Sequence, residues 1–355
     1  MFGGMGMVKK WRVILVILVT AILSMTGCSD NKEDTKDADV TEQKIQIGLS
    51  FDSYVIERWQ RDREVFVSTA QELGAEVNVQ NANGDVNEQI SQIEYLIEKK
   101  MDVIVVVAVD SEALSDVLIK AKETGIICVA YDRLVRNANV DLYISFDNEQ
   151  VGRLMAQALV EGVPEGGNIV TIFGPKTDHN VTLVEQGFQE VMEGKDFNII
   201  HSVYAKGWLA EEAYAAINAS LEINEDIDGV LCGNDNLATQ AVLALSENRL
   251  AGKVVVTGQD ADLVACQRIV EGTQTMTVYK PVDKLAKAAA EYAVKLAKGE
   301  DIDVTSTIDD GSNDVPYIKL EPIAVTKDSI REIIIEGGFQ QEEDVYLNVP
   351  TDVTE

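Results

Sequence analysis

Charged, amide and indole side chains recur at one kind of place in this sequence, in the segments that follow short apolar runs typical of β-strands. In open α/β sheets, ligands bind beyond the carboxyl ends of the strands, so these side chains are candidate site residues. If two halves of the chain face each other, the strand ends converge on one cleft. The ten candidates follow seven such runs and are Arg58, Trp59, Asp132, Arg133, Asp178, Asn180, Trp208, Asn234, Asp260 and Lys280.

The chemistry of these side chains predicts a small, neutral, hydroxyl-rich ligand. Three carboxylates only accept hydrogen bonds, three cations only donate them, and the two asparagines do both. Carboxylate and guanidinium groups present paired atoms at the spacing of adjacent hydroxyls, and charge-assisted hydrogen bonds are about twice as strong as neutral ones. The indoles of Trp59 and Trp208 add flat apolar faces for the C–H groups of a sugar ring.

Each candidate also has a purely structural interpretation. Asp178, Asn234 and Asp260 stand where helix N-caps occur. The arginines could form surface ion pairs, and the tryptophans could belong to the core. The set as a whole, rather than any member, favours a binding site.

Composition and motifs exclude several function classes. The 355 residues include 30 Lys+Arg and 60 Asp+Glu, a formal net charge of −30, which disfavours nucleic-acid binding. Two histidines and four cysteines without a CxxC motif leave no metal site to expect. Neither a dinucleotide or phosphate-loop signature nor a nucleophile elbow is present, so we expect no cofactor. An enzyme is disfavoured, because Arg58, Arg133 and Lys280 would hold the neighbouring acids ionised.

The elements that must position these residues alternate between strand and helix from Lys44 onwards. This alternation predicts parallel sheets with right-handed crossovers, and the length favours two doubly wound α/β domains. We place their boundary near Asp147–Asn148 and expect crossings around Thr275–Pro281 and Gly311–Tyr317. The predicted lobes are residues 44–147 plus about 281–310, and 148–280 plus about 311–340, followed by an acidic tail at 341–355.

The N-terminal residues predict export and anchoring. Lys9, Lys10 and Arg12 precede a mostly apolar run of 13 residues, which is too short to span a bilayer, since spanning needs about 20 residues. It fits a signal peptide. Thr26-Gly27-Cys28 then resembles the lipobox of bacterial lipoproteins, so we predict a signal peptide at 1–27, a lipidated Cys28 and an acidic flexible tether at 28–43. The alternative is a plain signal peptide with an incidental cysteine.

Several stretches resemble one family over residues 44–340. They are Glu57–Arg63, Gln80–Gly84, Ala130–Arg133, Tyr143–Glu149, Gly258–Asp262 and Gly272–Pro281. The chain is similar there to the D-xylose-binding proteins of bacterial ABC sugar importers, within the ribose/galactose-type periplasmic binding proteins. The resemblance implies a type I periplasmic-binding-protein fold with three hinge crossovers.

The same resemblance implies what the protein binds and where. The family's sugar contacts fall on the ten candidate residues given above. They imply an extracytoplasmic monomer that captures a monosaccharide, D-xylose first, and delivers it to an ABC permease.

Three alternatives remain at this stage. The same site could serve a sensor subunit that signals to a membrane histidine kinase or chemoreceptor. A sugar-converting enzyme or a repressor core of the lactose-repressor type could share the fold, although the repressor would need a DNA-binding N-terminus instead of an export signal.

Overall fold

The computed structural model describes residues 44–223 and 226–349 of the chain. The predicted signal peptide, the lipidation site Cys28, the whole tether at 28–43 and residues 350–355 of the predicted tail lie outside the described residues. Within the described part, no helix is long and apolar enough to cross a membrane.

Strands and helices alternate as the sequence pattern predicts, with three strands added near the C-terminus. The strands are β1 (Gln46–Phe51), β2 (Glu76–Asn81), β3 (Val103–Val106), β4 (Ile127–Tyr131), β5 (Leu142–Phe146), β6 (Gly167–Phe173), β7 (Phe197–Tyr204), β8 (Gly229–Cys232), β9 (Val255–Gln259), β10 (Met276–Tyr279), β11 (Thr307–Asp309), β12 (Asp314–Leu320) and β13 (Ile323–Thr326). The helices are α1 (Arg58–Glu72), α2 (Val86–Glu98), α3 (Ser115–Glu123), α4 (Asn148–Gly162), α5 (His179–Met192), α6 (Glu211–Ile223), α7 (Asp235–Glu247), α8 (Leu263–Glu271), α9 (Val282–Ala297) and α10 (Glu342–Val345).

The strands form two sheets with the same internal order. The first sheet runs β11-β12-β5-β4-β3-β1-β2, and the second runs β13-β10-β9-β8-β6-β7. Neighbouring strands are parallel except at β11/β12 and β10/β13, which are antiparallel. We call the part built on the first sheet the first lobe and the part built on the second sheet the second lobe. The predicted fold class, two doubly wound α/β domains, is confirmed.

Burial explains why the central strands read as continuous apolar runs. Every residue of β3 and of β8 is buried, because helices cover both faces of a parallel sheet. Local capping fixes where helices begin. For example, the Asp85 side chain accepts hydrogen bonds from the Asn87 and Glu88 backbone N–H groups at the start of α2.

The chain passes between the lobes three times, and one predicted crossing is misplaced. The first two passages follow β5 and β10, as expected from the boundary at Asp147–Asn148 and the crossing near Pro281. The third follows β12, because residues 317–320 pair in parallel with β5 of the first sheet. The assignment of residues 311–320 to the second lobe is therefore wrong, and the chain crosses between Leu320 and Ile323.

The described part of the predicted acidic tail is not a free tail. Residues Glu342–Val345 form a short helix, and Val345 is buried in a cluster with Ile269 and Ile334 of the second lobe. Tyr346 and Val349 pack against the same cluster. The apolar residues interspersed among the acids therefore anchor residues 341–349 to the folded body.

Candidate functional site

Helix α1 begins with two of the predicted site residues, Arg58 and Trp59. Trp59 is 1% exposed, and its ring centroid lies 6.1 Å from that of Phe51 at the end of β1. The Arg58 guanidinium carbon lies 4.4 Å from the Trp59 ring centroid, at cation–π distance. Trp59 therefore packs in the core of the first lobe and also supports a charged group at the cavity, and its contact with a ligand stays a prediction.

Two carboxylates hold Arg58 in place. Its Nε and Nη2 atoms lie 3.1 and 2.8 Å from the two oxygens of Asp62, one helical turn along α1. Its Nη1 lies 2.9 Å from Asp132 Oδ2. Burial lowers the pKa of Arg58, but Asp132 and Asp62 outweigh burial and hold that pKa well above its ordinary value. Arg58 is therefore a fixed cation.

Asp132 follows β4 and is buried among cations. Burial raises the pKa of its carboxyl, but Arg58, Lys280 and Arg133 together hold the pKa below its ordinary value. Its backbone has φ +60°, the left-handed region that Asp enters more readily than most residues. Asp132 is thus held as a carboxylate at the first-lobe side of the cleft.

Arg133 links the two lobes. Its Nη1 lies 2.7 Å from Asp52 Oδ2 and donates to the Ala108 carbonyl at 2.9 Å, both in the first lobe. Its Nε lies 2.8 Å from Asp178 Oδ2 in the second lobe. Burial raises the pKa of Asp178, and Arg133 opposes that shift without cancelling it. A buried ion pair therefore spans the cleft.

Asp178 and Asn180 start helix α5 and reach across to the first lobe. Asp178 Oδ1 accepts from the Asn180 backbone N–H at 3.0 Å, which is an N-cap bond, while Oδ2 holds Arg133. Asn180 Nδ2 donates to the Asp132 carbonyl at 3.1 Å, and Asn180 Oδ1 accepts from the Tyr143 hydroxyl at 3.3 Å. Capping and cleft formation are performed by the same side chains.

Asn234 repeats this arrangement at the start of α7. Its Oδ1 accepts from the Leu237 backbone N–H at 2.9 Å, and its Nδ2 has no partner among the described residues. Asn234 is 1% exposed. A buried amide N–H₂ group without a partner is costly unless something accepts its hydrogen bonds.

Trp208 ends a 3₁₀ turn, Lys206–Trp208, that follows β7. Its backbone has φ +60°, a rare conformation for a bulky residue that costs roughly 1–2 kcal/mol. Its indole lies against Gly174 so closely that a Cβ there would be 2.3 Å from ring atoms Cη2 and Cζ2. Gly174 is therefore required for the indole to reach the cleft.

Asp260 and Lys280 complete the second-lobe wall. Asp260 Oδ1 lies 2.7 Å from Lys280 Nζ, and both residues are buried. Asp260 has φ +102°, and Ala261 after it has φ +55°. The strand end after β9 is thus held in a strained backbone that places a carboxylate in the cleft.

All ten predicted site residues line one cavity between the lobes. The rest of the lining consists of Ile56, Asn148, Phe173, Gly174, Val181, Val184, Gly233 and Gln259. Several buried polar atoms of this lining have no partner within the described ranges, namely Trp59 Nε1, Arg133 Nη2, Trp208 Nε1, Asn234 Nδ2 and Gln259 Oε1. The cavity therefore offers hydrogen-bond donors and an acceptor to a small polar molecule.

Sequence reasoning missed several contributors. Asn148 and Gln259 line the cavity, and Asp52 and Asp62 hold the two arginines. Gln259 stands at a strand end, as Asp260 does, and Asp52 directly follows β1, so the strand-end rule could have included both. Asp62 carried a weaker signal, its spacing of four residues from Arg58 on one helix.

The described residues contain no group of three or more His, Cys, Asp or Glu side chains that could hold a metal ion. The three cysteines of the described part, Cys128, Cys232 and Cys266, are buried free thiols. Burial raises the pKa of Cys128 to about 12, so that thiol stays protonated. The cavity instead offers hydrogen-bond donors, hydrogen-bond acceptors and aromatic rings, which suit the binding of a small polar molecule.

The fold and the cavity define a two-lobed binding protein with its ligand chamber between the lobes. A family model described as "Periplasmic binding protein domain" matches residues 47–301. The chain belongs to this family. The family consists of solute-binding proteins, so the prediction that the chain is not an enzyme is confirmed, and membership implies an extracytoplasmic location.

Two curated relatives match nearly the whole chain. A D-xylose-binding periplasmic protein of Haemophilus influenzae is 46% identical over 343 residues, which is 95% of this chain and 99% of that protein. A D-xylose-binding periplasmic protein of Escherichia coli is 41% identical over 342 residues, covering 95% and 100%. The resemblance found in the sequence is confirmed by these relatives.

Solved structures show the same fold. A carbohydrate transporter solute-binding protein from Chloroflexus aurantiacus, in complex with D-glucose, matches with a TM-score of 0.80 and 26% identity over 85% of this chain and 98% of that chain. An ABC transporter solute-binding protein from Clostridium phytofermentans with bound β-D-glucose matches with a TM-score of 0.77 and 27% identity over 84% and 99%.

Gly174→Ala should displace the Trp208 indole, because the new Cβ would overlap its ring. We expect the free energy of unfolding to fall by about 1–3 kcal/mol, as for other overpacked cores. Chemical denaturation would measure it. In a Trp208→Phe background the same substitution should cost much less, because the smaller ring lacks the overlapping atoms. An equal cost in both backgrounds would contradict the assigned contact.

Asp132→Asn should change how stability depends on pH. A carboxyl whose folded pKa is depressed contributes stability that is present above its unfolded pKa, about 3.9, and is lost as pH falls through the folded value. The stability gap between the wild type and the variant should therefore be largest above about pH 5 and shrink below about pH 4. Denaturation series from pH 3 to 7 would measure it. A gap that widens in acid would contradict the depressed pKa of Asp132.

Proposed function

We propose that the protein captures a monosaccharide, D-xylose in the first place, between its two lobes and delivers it to an ABC permease. The observation that carries this proposal is the convergence of ten strand-end residues around one buried cavity. Its ligand-binding residues are Arg58, Trp59, Asp132, Arg133, Asp178, Asn180, Trp208, Asn234, Asp260 and Lys280.

The charges of the cavity favour a neutral polyol. Arg58 and Asp132 form one ion pair, Arg133 and Asp178 another, and Lys280 and Asp260 a third. Asp62 and Asp52 pair with the same two arginines, so every cation of the lining already has carboxylate partners and none is left free for an anionic ligand. Adjacent hydroxyls can instead bridge an acceptor and a donor within a pair.

Contacts across the cleft support a hinge mechanism. Arg133–Asp178 and Asn180–Asp132 join the lobes at the cavity, and Ser111 N–H donates to the Thr177 carbonyl at 2.9 Å near the rim. In this mechanism the three crossings act as hinges. A ligand that contacts both lobes only when they meet shifts the population towards closure.

The names of two near-full-length relatives favour D-xylose over other sugars as the ligand. Both proteins that match about 95% of this chain carry D-xylose in their names. Ile56, Phe173, Val181 and Val184 line part of the cavity with apolar groups, and a polar substituent buried against them would lose its hydrogen bonds.

A sensor role is the second candidate. A protein of Rhizobium radiobacter named "Multiple sugar-binding periplasmic receptor ChvE" is 30% identical over 83% of this chain. In this alternative the same closure would be read by a membrane histidine kinase or chemoreceptor. The binding site is shared by both candidates, and only the partner differs.

The N-terminal sequence supports lipid anchoring outside the cytoplasm. Residues 1–27 have the organisation of a signal peptide, and Cys28 would become the lipidated first residue. Residues 28–43 would tether a monomeric body near the permease.

Sugar titration tests the binding function. We expect the processed wild-type protein to bind D-xylose saturably in calorimetry, with a change in tryptophan emission because Trp59 and Trp208 line the cavity. Asp260→Ala should weaken binding by about tenfold or more, the order expected when a charged hydrogen-bond partner is lost. Ribose, arabinose, glucose and galactose would be titrated in parallel.

The control variant is Glu94→Gln, which removes a surface ion pair with Lys120 far from the cavity and should leave affinity unchanged. Tighter binding of another sugar would replace D-xylose as ligand. No binding of any sugar by a folded protein would overturn the proposed function.

Lipidation has its own test. The full chain, expressed in a bacterium that processes lipoproteins, should incorporate labelled fatty acid and partition with membranes, whereas Cys28→Ala should do neither. Sugar affinity should be equal in both proteins, because all ten proposed ligand-binding residues lie between Arg58 and Lys280. Labelled Cys28→Ala would contradict the anchor.

A further inference from the structure

Asp235 is the first residue of α7 and is fully buried, yet it does not line the cavity. Its Oδ1 accepts from Gln274 Nε2 at 2.8 Å, and its Oδ2 accepts from the Thr277 hydroxyl at 2.7 Å. Gly258 on β9 makes room for this carboxylate, because a Cβ there would lie 2.2 Å from Asp235 Oδ1. The neighbouring elements are thus shaped around the Asp235 side chain.

The same carboxylate holds the loop that carries Asp260. Asp235 Oδ2 also accepts from the Asp262 backbone N–H at 3.1 Å. Thr277, whose hydroxyl donates to Asp235, accepts in turn from the Ala261 backbone N–H at 3.2 Å. Two consecutive backbone N–H groups of the loop are therefore fixed to Asp235, one directly and one through a hydroxyl.

This loop needs such a restraint. Asp260 and Ala261 both have positive φ values, +102° and +55°, which residues other than glycine rarely adopt and keep only when the surroundings impose them. The strained pair aims the Asp260 carboxylate at Lys280 and the cavity. A relaxed loop would move that carboxylate away.

We propose that Asp235 is a positioning residue for ligand binding, which acts through Thr277 and the Asp262 N–H to hold Asp260 in the cavity. The inference rests on the proposed sugar-binding function and assigns a role to a residue that does not touch the sugar.

A matched pair at Thr277 gives the sharpest test. Thr277→Val keeps the shape but removes the hydroxyl link, and Thr277→Ser keeps the link but removes a methyl group. We expect Thr277→Val to weaken D-xylose binding in calorimetry by about tenfold, the order expected for one lost buried partner, and Thr277→Ser to bind as the wild type does. If Thr277 serves only packing, Thr277→Ser should lower the melting temperature more than Thr277→Val does, and the two variants should bind D-xylose with equal affinity.

A double-mutant cycle tests the path to Asp260. As a single substitution, Asp235→Asn should weaken sugar binding by about tenfold, because one of the groups that donate to the Asp235 carboxylate would then face an amide N–H₂ group. In an Asp260→Asn background it should add almost nothing, since coupled residues are non-additive. Equal losses in both backgrounds would overturn the inference.

The control is Asp310→Asn. Asp310 is also fully buried, and its carboxylate accepts from the backbone N–H groups of Ser312 and Asn313 in its own loop and of Asn139 in another loop. It does not line the cavity. It should lower the melting temperature without changing affinity. If the wild type binds sugar and both Asp235→Asn and Thr277→Val bind equally well, this inference fails while the proposed function stands. If the folded wild type binds no sugar, the proposed function itself fails.

Discussion

Two arginines buried at the lobe interface are the constraint on which the rest of the structure depends. A cation out of water must be paired, and removing one partner of a buried pair costs about 3–5 kcal/mol. Arg58 meets this need within the first lobe through Asp62 and Asp132, whereas Arg133 is paired on both sides of the cleft, by Asp52 and Asp178. Arg133 therefore keeps a carboxylate partner in its own lobe and gains a second one where the strand ends of the two sheets face each other.

Two polar side chains that the second lobe contributes to the cavity, Asp178 and Asn234, also cap helices. Asp178 caps α5 with one oxygen and binds Arg133 with the other, and Asn234 caps α7 with its oxygen while its nitrogen stays available. The capping interpretation of these residues and the binding interpretation are thus compatible. A cap fixes the side-chain rotamer, and a fixed rotamer costs less entropy when a ligand binds. The same hydrogen bonds therefore stabilise the helix N-termini and fix the rotamers of the side chains that line the cavity.

The sequence predicted the two-sheet fold and the clustering of all ten candidate residues, because strand–helix alternation and the strand-end rule are local signals. It misplaced residues 311–320, because an alternating segment with Pro316 is typical of an edge strand but carries no information about which sheet it joins. The tail at 341–349 was misread because its acids dominate the composition while Val345 does the anchoring. Asp62 was missed because its spacing of four residues from Arg58 on one helix is a weak local signal, and Asp52 was missed although it follows a strand end, because its pairing with Arg133 depends on a tertiary distance.

The left-handed backbone at Asp132, Trp208 and Asp260 also bears on how this pocket can be redesigned or can drift in evolution. At these positions a new side chain must tolerate the backbone as well as the ligand, which favours Asn, Asp and Gly and penalises β-branched residues. Phe173 closes a regular strand, and Val181 and Val184 lie on a regular helix, where most side chains fit. Changes of ligand preference should therefore accumulate on the apolar wall rather than at Asp132, Trp208 and Asp260, where the backbone alone restricts the choice of side chain.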